Sequence, residues 1–347
     1  MNSKPLTIGI AGEGKMGTNL FYFLLDFPSP LVWKCSKEAD IEKIRKQFIK
    51  KVCRCFDARI MDEKKRDEVL ANTKITMEDD DLVPCDLVIE AIPEDQEMKK
   101  RFFAQLDRIA GPGCLFATNS SSIIPSGLVP SEKRKGEFIG LHFFYPVALK
   151  NVVELIFTDH TNGETLRKAR SFLDSIHRFY LPLHERQGFT LNRIFLDFQN
   201  EAYLMVTEGK CTFSEMDRIV KEHFFPSGVF EFFDSVGIDI MLASVTNYTR
   251  DYPHRDYYLP LIQKLTDLRN SGCLGNKTGK GFYDRTGQEV SSPGISLDPA
   301  VENEIAARLR QSFIAAVKRF AARSGLPLDD LRIAVNEYFG VDWNLFP

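Results

Sequence analysis

The feature that most restricts the fold is an apolar run that ends in a cluster of glycines. Thr7–Ala11 leads into Gly12-Glu13-Gly14-Lys15-Met16-Gly17, and a helical run, Asn19–Leu25, follows. A strand that breaks at G-x-G-x-x-G and restarts as a helix is a dinucleotide-binding signature. The glycines permit a tight turn and close backbone approach to a pyrophosphate, while the helix amino terminus offers N–H groups and partial positive charge. Gly12, Gly14, Lys15, Met16 and Gly17 are therefore the first candidate cofactor contacts.

Four further runs, Leu31–Cys35, Leu87–Glu90, Leu115–Thr118 and Phe138–Leu141, are apolar almost throughout. Strands read this way when helices cover both faces of a parallel sheet. Between them lie amphipathic stretches: in Glu97–Ile109 the apolar residues Phe102, Phe103, Leu106 and Ile109 share one face and charges fill the other. The alternation predicts an α/β domain, a Rossmann-like doubly wound sheet, over residues 1–185. From about Gly188 the strand-like runs stop. Helical stripes replace them, one through Ile194, Phe195, Phe198, Ala202 and Met205 and one through Met216, Ile219, Val220 and Phe224. An all-α substrate or dimerisation domain is expected over 186–285.

A turn-rich linker, Thr286–Leu297, opens a third part, 286–347. Asp298-Pro299 reads as a helix start, and the helix carries Ile305, Leu309, Phe313, Val317 and Phe320 on one face until Gly325 and Pro327 stop it. Cys211–Phe224 can be laid over Leu326–Phe339, each preceded by a long striped helix, which suggests a partial helical repeat.

Composition excludes several function classes. Lys plus Arg number 45 against 48 Asp plus Glu, a net charge of −3, so there is no basic field for nucleic acid or an anionic membrane. No run approaches the roughly 18 apolar residues of a membrane span. The seven cysteines form no C-x-x-C pair and read as reduced thiols. Met1 leads into Leu6–Ala11 without a leader pattern, so the chain is read as cytoplasmic. The 28 phenylalanines read as core packing.

An acidic residue is expected at the end of the second strand, where it would hydrogen-bond the adenosine ribose. That strand ends Val32-Trp33-Lys34-Cys35-Ser36-Lys37, with no carboxylate. Lys34, Ser36 and Lys37 are candidates to receive a 2′-phosphate, or else Lys34 and Lys37 are ordinary surface lysines. NAD is the expected cofactor and NADP stays open.

Asn119-Ser120-Ser121-Ser122 follows Leu115–Thr118, and His142-Phe143-Phe144-Tyr145-Pro146 follows Phe138–Leu141. The next apolar strand, Val152–Ile156, carries Glu154. A buried carboxylate needs a partner, and His142 is the obvious one. A carboxylate fixes the tautomer and orientation of its histidine, as a general base requires.

On these residues the sequence resembles the 3-hydroxyacyl-CoA dehydrogenase family. Gly12–Gly17, Asp86–Glu94, Asn119–Ser122, His142–Pro146, Val153–Ile156, Gly188–Arg193, Asp234–Asp239 and Lys277–Tyr283 fall in the family's order across residues 5–285. The resemblance implies oxidation of an L-3-hydroxyacyl-CoA with nicotinamide reduction, as in fatty acid metabolism. It assigns catalytic positions to Ser121, His142, Glu154 and Asn192. It gives cofactor contacts to Glu94, Lys99, Asn119 and Lys277 beside the glycine loop, and no metal. The implied partner is an acyl-CoA-type small molecule. Family members with one helical domain typically dimerise through it, which makes a homodimer one arrangement open to this chain.

This sequence also departs from the family. Cys35 stands at the ribose-binding Asp, and Tyr145 replaces the Asn of H-F-F-N-P beside the nicotinamide. Pro226-Ser-Gly-Val-Phe230 replaces P-M-G-P-F, and the family's CoA-contacting Ser and Lys fall on Lys51 and Ala58. The helix with Lys50, Lys51 and Arg54 is a candidate phosphate contact. The alternatives to a hydroxyacyl-CoA dehydrogenase are a relative acting on a non-CoA hydroxy acid or carnitine-like substrate, and a non-catalytic dinucleotide-binding descendant.

Overall fold

The computed structural model describes residues 5–250, 252, 254–284 and 297–339. The chain divides into two units, Met1–Gly188 and Phe189–Pro347. The second holds both the 186–285 part of the sequence reading, from Phe189 onward, and the 286–347 part. Apart from Leu297, the linker lies outside the described residues.

The first unit is an eight-stranded sheet with helices on both faces. In chain order it runs β1 (Ile8–Ala11), α1 (Lys15–Leu24), β2 (Leu31–Lys34), α2 (Ile41–Asp57), α3 (Glu63–Ala71) and β3 (Thr73–Thr76). It continues through β4 (Leu87–Glu90), α4 (Gln96–Ile109), β5 (Leu115–Thr118), β6 (Phe138–Phe143), β7 (Val152–Phe157), α5 (Gly163–Ser175) and β8 (Phe179–His184). The strand order is β3-β2-β1-β4-β5-β6-β7-β8. Only the β6–β7 pair is antiparallel.

The pleat sorts alternate residues into two cores. Ile8, Ile10, Trp33, Ile89, Leu141 and Leu155 pack under α1, α2 and α5, joined by Phe21, Phe48 and Phe172. Val32, Val88, Phe116 and Phe138 pack on the other face against Phe102, Phe103 and Leu106 of α4. Burial on both faces is why the central strands carry no polar alternation. The sequence reading located the central strands within a residue or two and missed β3 and β8, which form the two edges.

The second unit is helical: α6 (Thr190–Thr207), α7 (Phe213–His223), α8 (Val229–Val236), α9 (Ile238–Thr249), α10 (Leu259–Asn270), α11 (Pro299–Ser324) and α12 (Leu328–Phe339). Asp298 caps α11, its carboxylate accepting from the Ala300 N–H at 2.7 Å, and Gly325 ends it at φ 68°. The expected stripe of α11, Ile305, Leu309, Phe313, Val317 and Phe320, is buried. It packs along α6 within the same chain. Phe198 meets Phe313 at 6.1 Å between ring centroids, and Arg308 bridges Glu201 and Glu208. Arg319 Nη2 donates to the buried Asp197 at 2.6 Å. Phe339 of α12 closes on Phe195 and Phe225. Among the described residues no helix is long and apolar enough to cross a membrane.

Candidate active site

The glycine loop is fixed by its neighbours. Gly12 has φ 114°, and a Cβ there would lie 2.5 Å from the Ala91 carbonyl oxygen. A Cβ on Gly17 would lie 2.2 Å from the Gly12 oxygen, so both positions require glycine. The Trp33 indole, stacked on Phe21 at 4.2 Å, donates to the Gly12 oxygen at 2.9 Å. Gly14 is different: a Cβ there would meet nothing within 4 Å. Gly14 caps α1 with no side-chain acceptor, and the first turn of the helix holds no acidic residue. A helix start left in this state is an anion site. The loop thus fits the pyrophosphate of a nicotinamide dinucleotide. Met16 packs against the core, while the Lys15 ammonium lies 4.2 Å over the Tyr145 ring.

The end of β2 is occupied from within the chain. Cys35 faces the core at 0 % exposure, and burial, helped by the nearby Glu13 charge, pushes its thiol up to about 11. The Ser36 N–H and hydroxyl donate to the Glu13 carboxylate at 3.0 and 2.6 Å. Lys34 Nζ lies 3.0 Å from Asp79 Oδ1, while Lys37 is exposed.

The ends of β4 and β5 are joined by a buried polar network. Glu90, the last residue of β4, accepts from Lys99 at 2.5 Å, from the Ile92 N–H at 2.8 Å and from the Thr118 hydroxyl at 2.7 Å. Lys99 also reaches Glu94 at 3.2 Å. Glu94 accepts from the Ser120 and Ser122 hydroxyls at 2.5 and 2.9 Å and from the Ser121 and Ser122 N–H groups. Burial alone would raise the Glu94 carboxyl. Lys99 and the two hydroxyls outweigh it and hold the carboxyl below its ordinary range. Lys99 is 1 % exposed, so its ammonium is a buried tie between two carboxylates. Sequence reasoning missed the part played by Glu90. The signal was there, since a carboxylate in an apolar strand needs a partner. Asn119 serves the adjacent strand, its Oδ1 accepting from the Phe143 N–H at 2.9 Å.

One strand further on, β6 and β7 pair so that His142 lies directly opposite Glu154. Their side chains share one face of the sheet, and His142 Nδ1 and Glu154 Oε2 are 2.8 Å apart. Glu154 is 0 % exposed. The Phe144 ring packs on the imidazole at 4.3 Å between centroids. A carboxylate in this position favours the tautomer that carries its proton on Nδ1.

The helical unit carries the other two candidates. Asn192, in the first turn of α6, donates to the Tyr248 hydroxyl at 2.9 Å and accepts from the Tyr338 hydroxyl of α12 at 3.1 Å. Lys277 is paired with Asp239. The Asp234–Asp239 and Lys277–Tyr283 motifs hold each other, because Asp234 accepts from the Phe282 and Tyr283 N–H groups at 3.0 Å. In the first unit, Lys51 lies 3.7 Å over the Tyr22 ring and Ala58 ends α2.

Comparison with known proteins agrees with this layout. Residues 7–185 match the family model described as "3-hydroxyacyl-CoA dehydrogenase, NAD binding domain", and residues 188–285 match the corresponding C-terminal domain. A probable 3-hydroxybutyryl-CoA dehydrogenase of Deinococcus radiodurans is 35% identical over 219 residues, 62% of this chain and 77% of the relative. The 3-hydroxybutyryl-CoA dehydrogenase of Clostridioides difficile is 28% identical over 283 residues, 80% of this chain and 99% of its own length. The crystal structure of (S)-3-hydroxybutyryl-CoA dehydrogenase from Ralstonia eutropha superposes with a TM-score of 0.72 at 28% identity, covering 81% of this chain and 99% of that one. With its glycine loop, its sheet order and both domain models in register, this chain belongs to the 3-hydroxyacyl-CoA dehydrogenase family.

Proposed function

We propose that this enzyme interconverts an L-3-hydroxyacyl-CoA and a 3-oxoacyl-CoA with a nicotinamide cofactor, using His142–Glu154 as its base pair. The observation that carries the proposal is the 2.8 Å contact of His142 Nδ1 with a fully buried carboxylate at the end of a dinucleotide-binding sheet. When bound, the dinucleotide supplies the acceptor for the hydride that leaves C3, and the donor in reverse. His142 Nε2 takes the proton of the 3-hydroxyl as that hydride departs. Glu154 holds the ring in its tautomer and balances the imidazolium charge that results. Ser121 hydrogen-bonds the reacting oxygen, and the Glu94 carboxylate holds the loop that presents it. Asn192 carries the family's fourth catalytic position on the helical unit. The retained pair argues against a non-catalytic descendant.

Replacing His142 by Gln should leave dinucleotide binding nearly unchanged and reduce acetoacetyl-CoA turnover about 10²–10⁴-fold, the usual contribution of a positioned base. Near-wild-type turnover would remove His142 from the mechanism. Faster turnover of free hydroxy acids or hydroxycarnitine than of the CoA ester would move the substrate assignment to those compounds.

A further inference from the structure

We propose that Glu13, from inside the glycine loop, takes the place of the absent carboxylate at the end of β2 and makes the enzyme select NAD(H) over NADP(H). The inference rests on the dehydrogenase reading above and decides between NAD and the NADP alternative that the sequence leaves open. In sheets of this kind the adenosine ribose lies beside the last residue of the second strand, where an acidic side chain accepts from its 2′-hydroxyl.

Here residue 35 cannot serve, because the Cys35 thiol is turned into the core. The carboxylate comes from 22 residues earlier in the chain. Glu13 reaches the second residue beyond the strand and is held there by the Ser36 N–H at 3.0 Å and the Ser36 hydroxyl at 2.6 Å. Its charge, after burial, helps push up the neighbouring Cys35 thiol. An ionised carboxylate has about four lone-pair sites. The two donors of Ser36 leave acceptor capacity for a 2′-hydroxyl.

The same arrangement opposes a 2′-phosphate. That group carries about −1.5 to −2 charge and would face the Glu13 carboxylate. It would find the Ser36 donors already engaged. Two cations of this stretch are committed elsewhere. Lys34 is paired with Asp79, and Arg45 donates to the Ile75 carbonyl at 2.7 Å and to Glu42 at 3.0 Å. The exposed Lys37 and Lys43 are the remaining positive charges in this stretch of the sequence, and among the described residues neither forms an ion pair with Glu13.

The test is direct titration of the full-length protein with NADH and with NADPH, without acyl substrate. Wild type should bind NADH about 100-fold more tightly, since a like-charge contact costs several kcal/mol. Glu13→Gln keeps the side-chain length and should bring the ratio below about tenfold by weakening NADH and tightening NADPH. Ser36→Ala, which frees the carboxylate from one donor, should move the ratio in the same direction by less. Circular dichroism of each variant checks that the loop substitution leaves the fold intact. A Glu13→Gln ratio equal to that of wild type, or a wild-type preference for NADPH, would overturn the assignment while leaving the dehydrogenase reading in place. A wild-type protein that binds neither dinucleotide would overturn both.

Discussion

Lys99→Met tests the buried network beneath the serine loop. The substitution keeps an unbranched side chain and deletes the ammonium. Glu90, at 0 % exposure, is then left with the Thr118 hydroxyl and the Ile92 N–H. Removing one member of a buried ion pair costs about 3–5 kcal/mol, against a total domain stability of about 5–15 kcal/mol. For a unit of this size the melting temperature should fall by about 10 °C. The loss should also depend on pH. Burial already holds the Glu90 carboxyl above its ordinary range, with Lys99 pulling against it, so loss of the ammonium raises it further. A carboxyl raised in the folded state contributes stability that is fully present below its unfolded value, about 4.3, and lost as pH climbs through the folded value. Urea unfolding followed by circular dichroism should therefore show a large penalty at about pH 8 that shrinks toward about pH 5. Adding Glu90→Gln removes the second charge and should recover most of the stability. A Lys99→Met protein within about 1 kcal/mol of wild type at about pH 8, or a double variant no better than the single one, would refute the ion pair.

Gly17→Ala forces a methyl group to within 2.2 Å of the Gly12 oxygen, so the loop must shift. It should cost about 1–3 kcal/mol in urea unfolding and weaken NADH binding in titration. Cys35, Cys85 and Cys114 are buried, with thiols pushed up to about 11, 12 and 12, mainly by burial, whereas Cys53 is exposed. Brief iodoacetamide treatment at about pH 8 should therefore modify Cys53 and spare the other three, as read by peptide mass mapping. Ending the chain at residue 285 removes α11 and bares the face of α6 that it covers. Light scattering should show aggregation or a new oligomeric mass, and Phe313→Ala should cost about 3–5 kcal/mol in the intact chain.

The central strands were legible because burial on both faces leaves runs such as Leu87–Glu90 almost free of polar residues. The edges were not. β3 and β8 each bury only some of their residues, and Thr73–Thr76 and Phe179–His184 mix polar and apolar types as a loop would. The His142–Glu154 pair could be read because a carboxylate in an apolar strand demands a partner and only one was near. Glu90 made the same demand, and Lys99 sits on the buried face of α4 with Phe102, Phe103 and Leu106. A lysine there reads as solvated unless the carboxylate at the facing strand end is weighed with it. The Glu13–Ser36 contact had no local signature. It joins two loops 23 residues apart through a side chain whose direction only the folded β1–α1 turn sets.

The antiparallel pairing of β6 and β7 also decides which changes this enzyme can tolerate. The twelve-position separation of His142 and Glu154 does not itself measure out the 2.8 Å contact. The ladder does that, matching Gly140 to Ile156, Leu141 to Leu155, His142 to Glu154 and Phe143 to Val153. Lengthening the 144–151 connection would leave those rungs untouched, because loop closure grows costlier only slowly with length. A deletion within a strand would do the reverse. Slipping the ladder by one residue would turn every side chain of β7 to the opposite face, sending Glu154 into one core and Val153 or Leu155 toward the imidazole. A motif search that demands a fixed twelve-residue interval would therefore pass over homologues whose loops differ in length but whose rungs are the same.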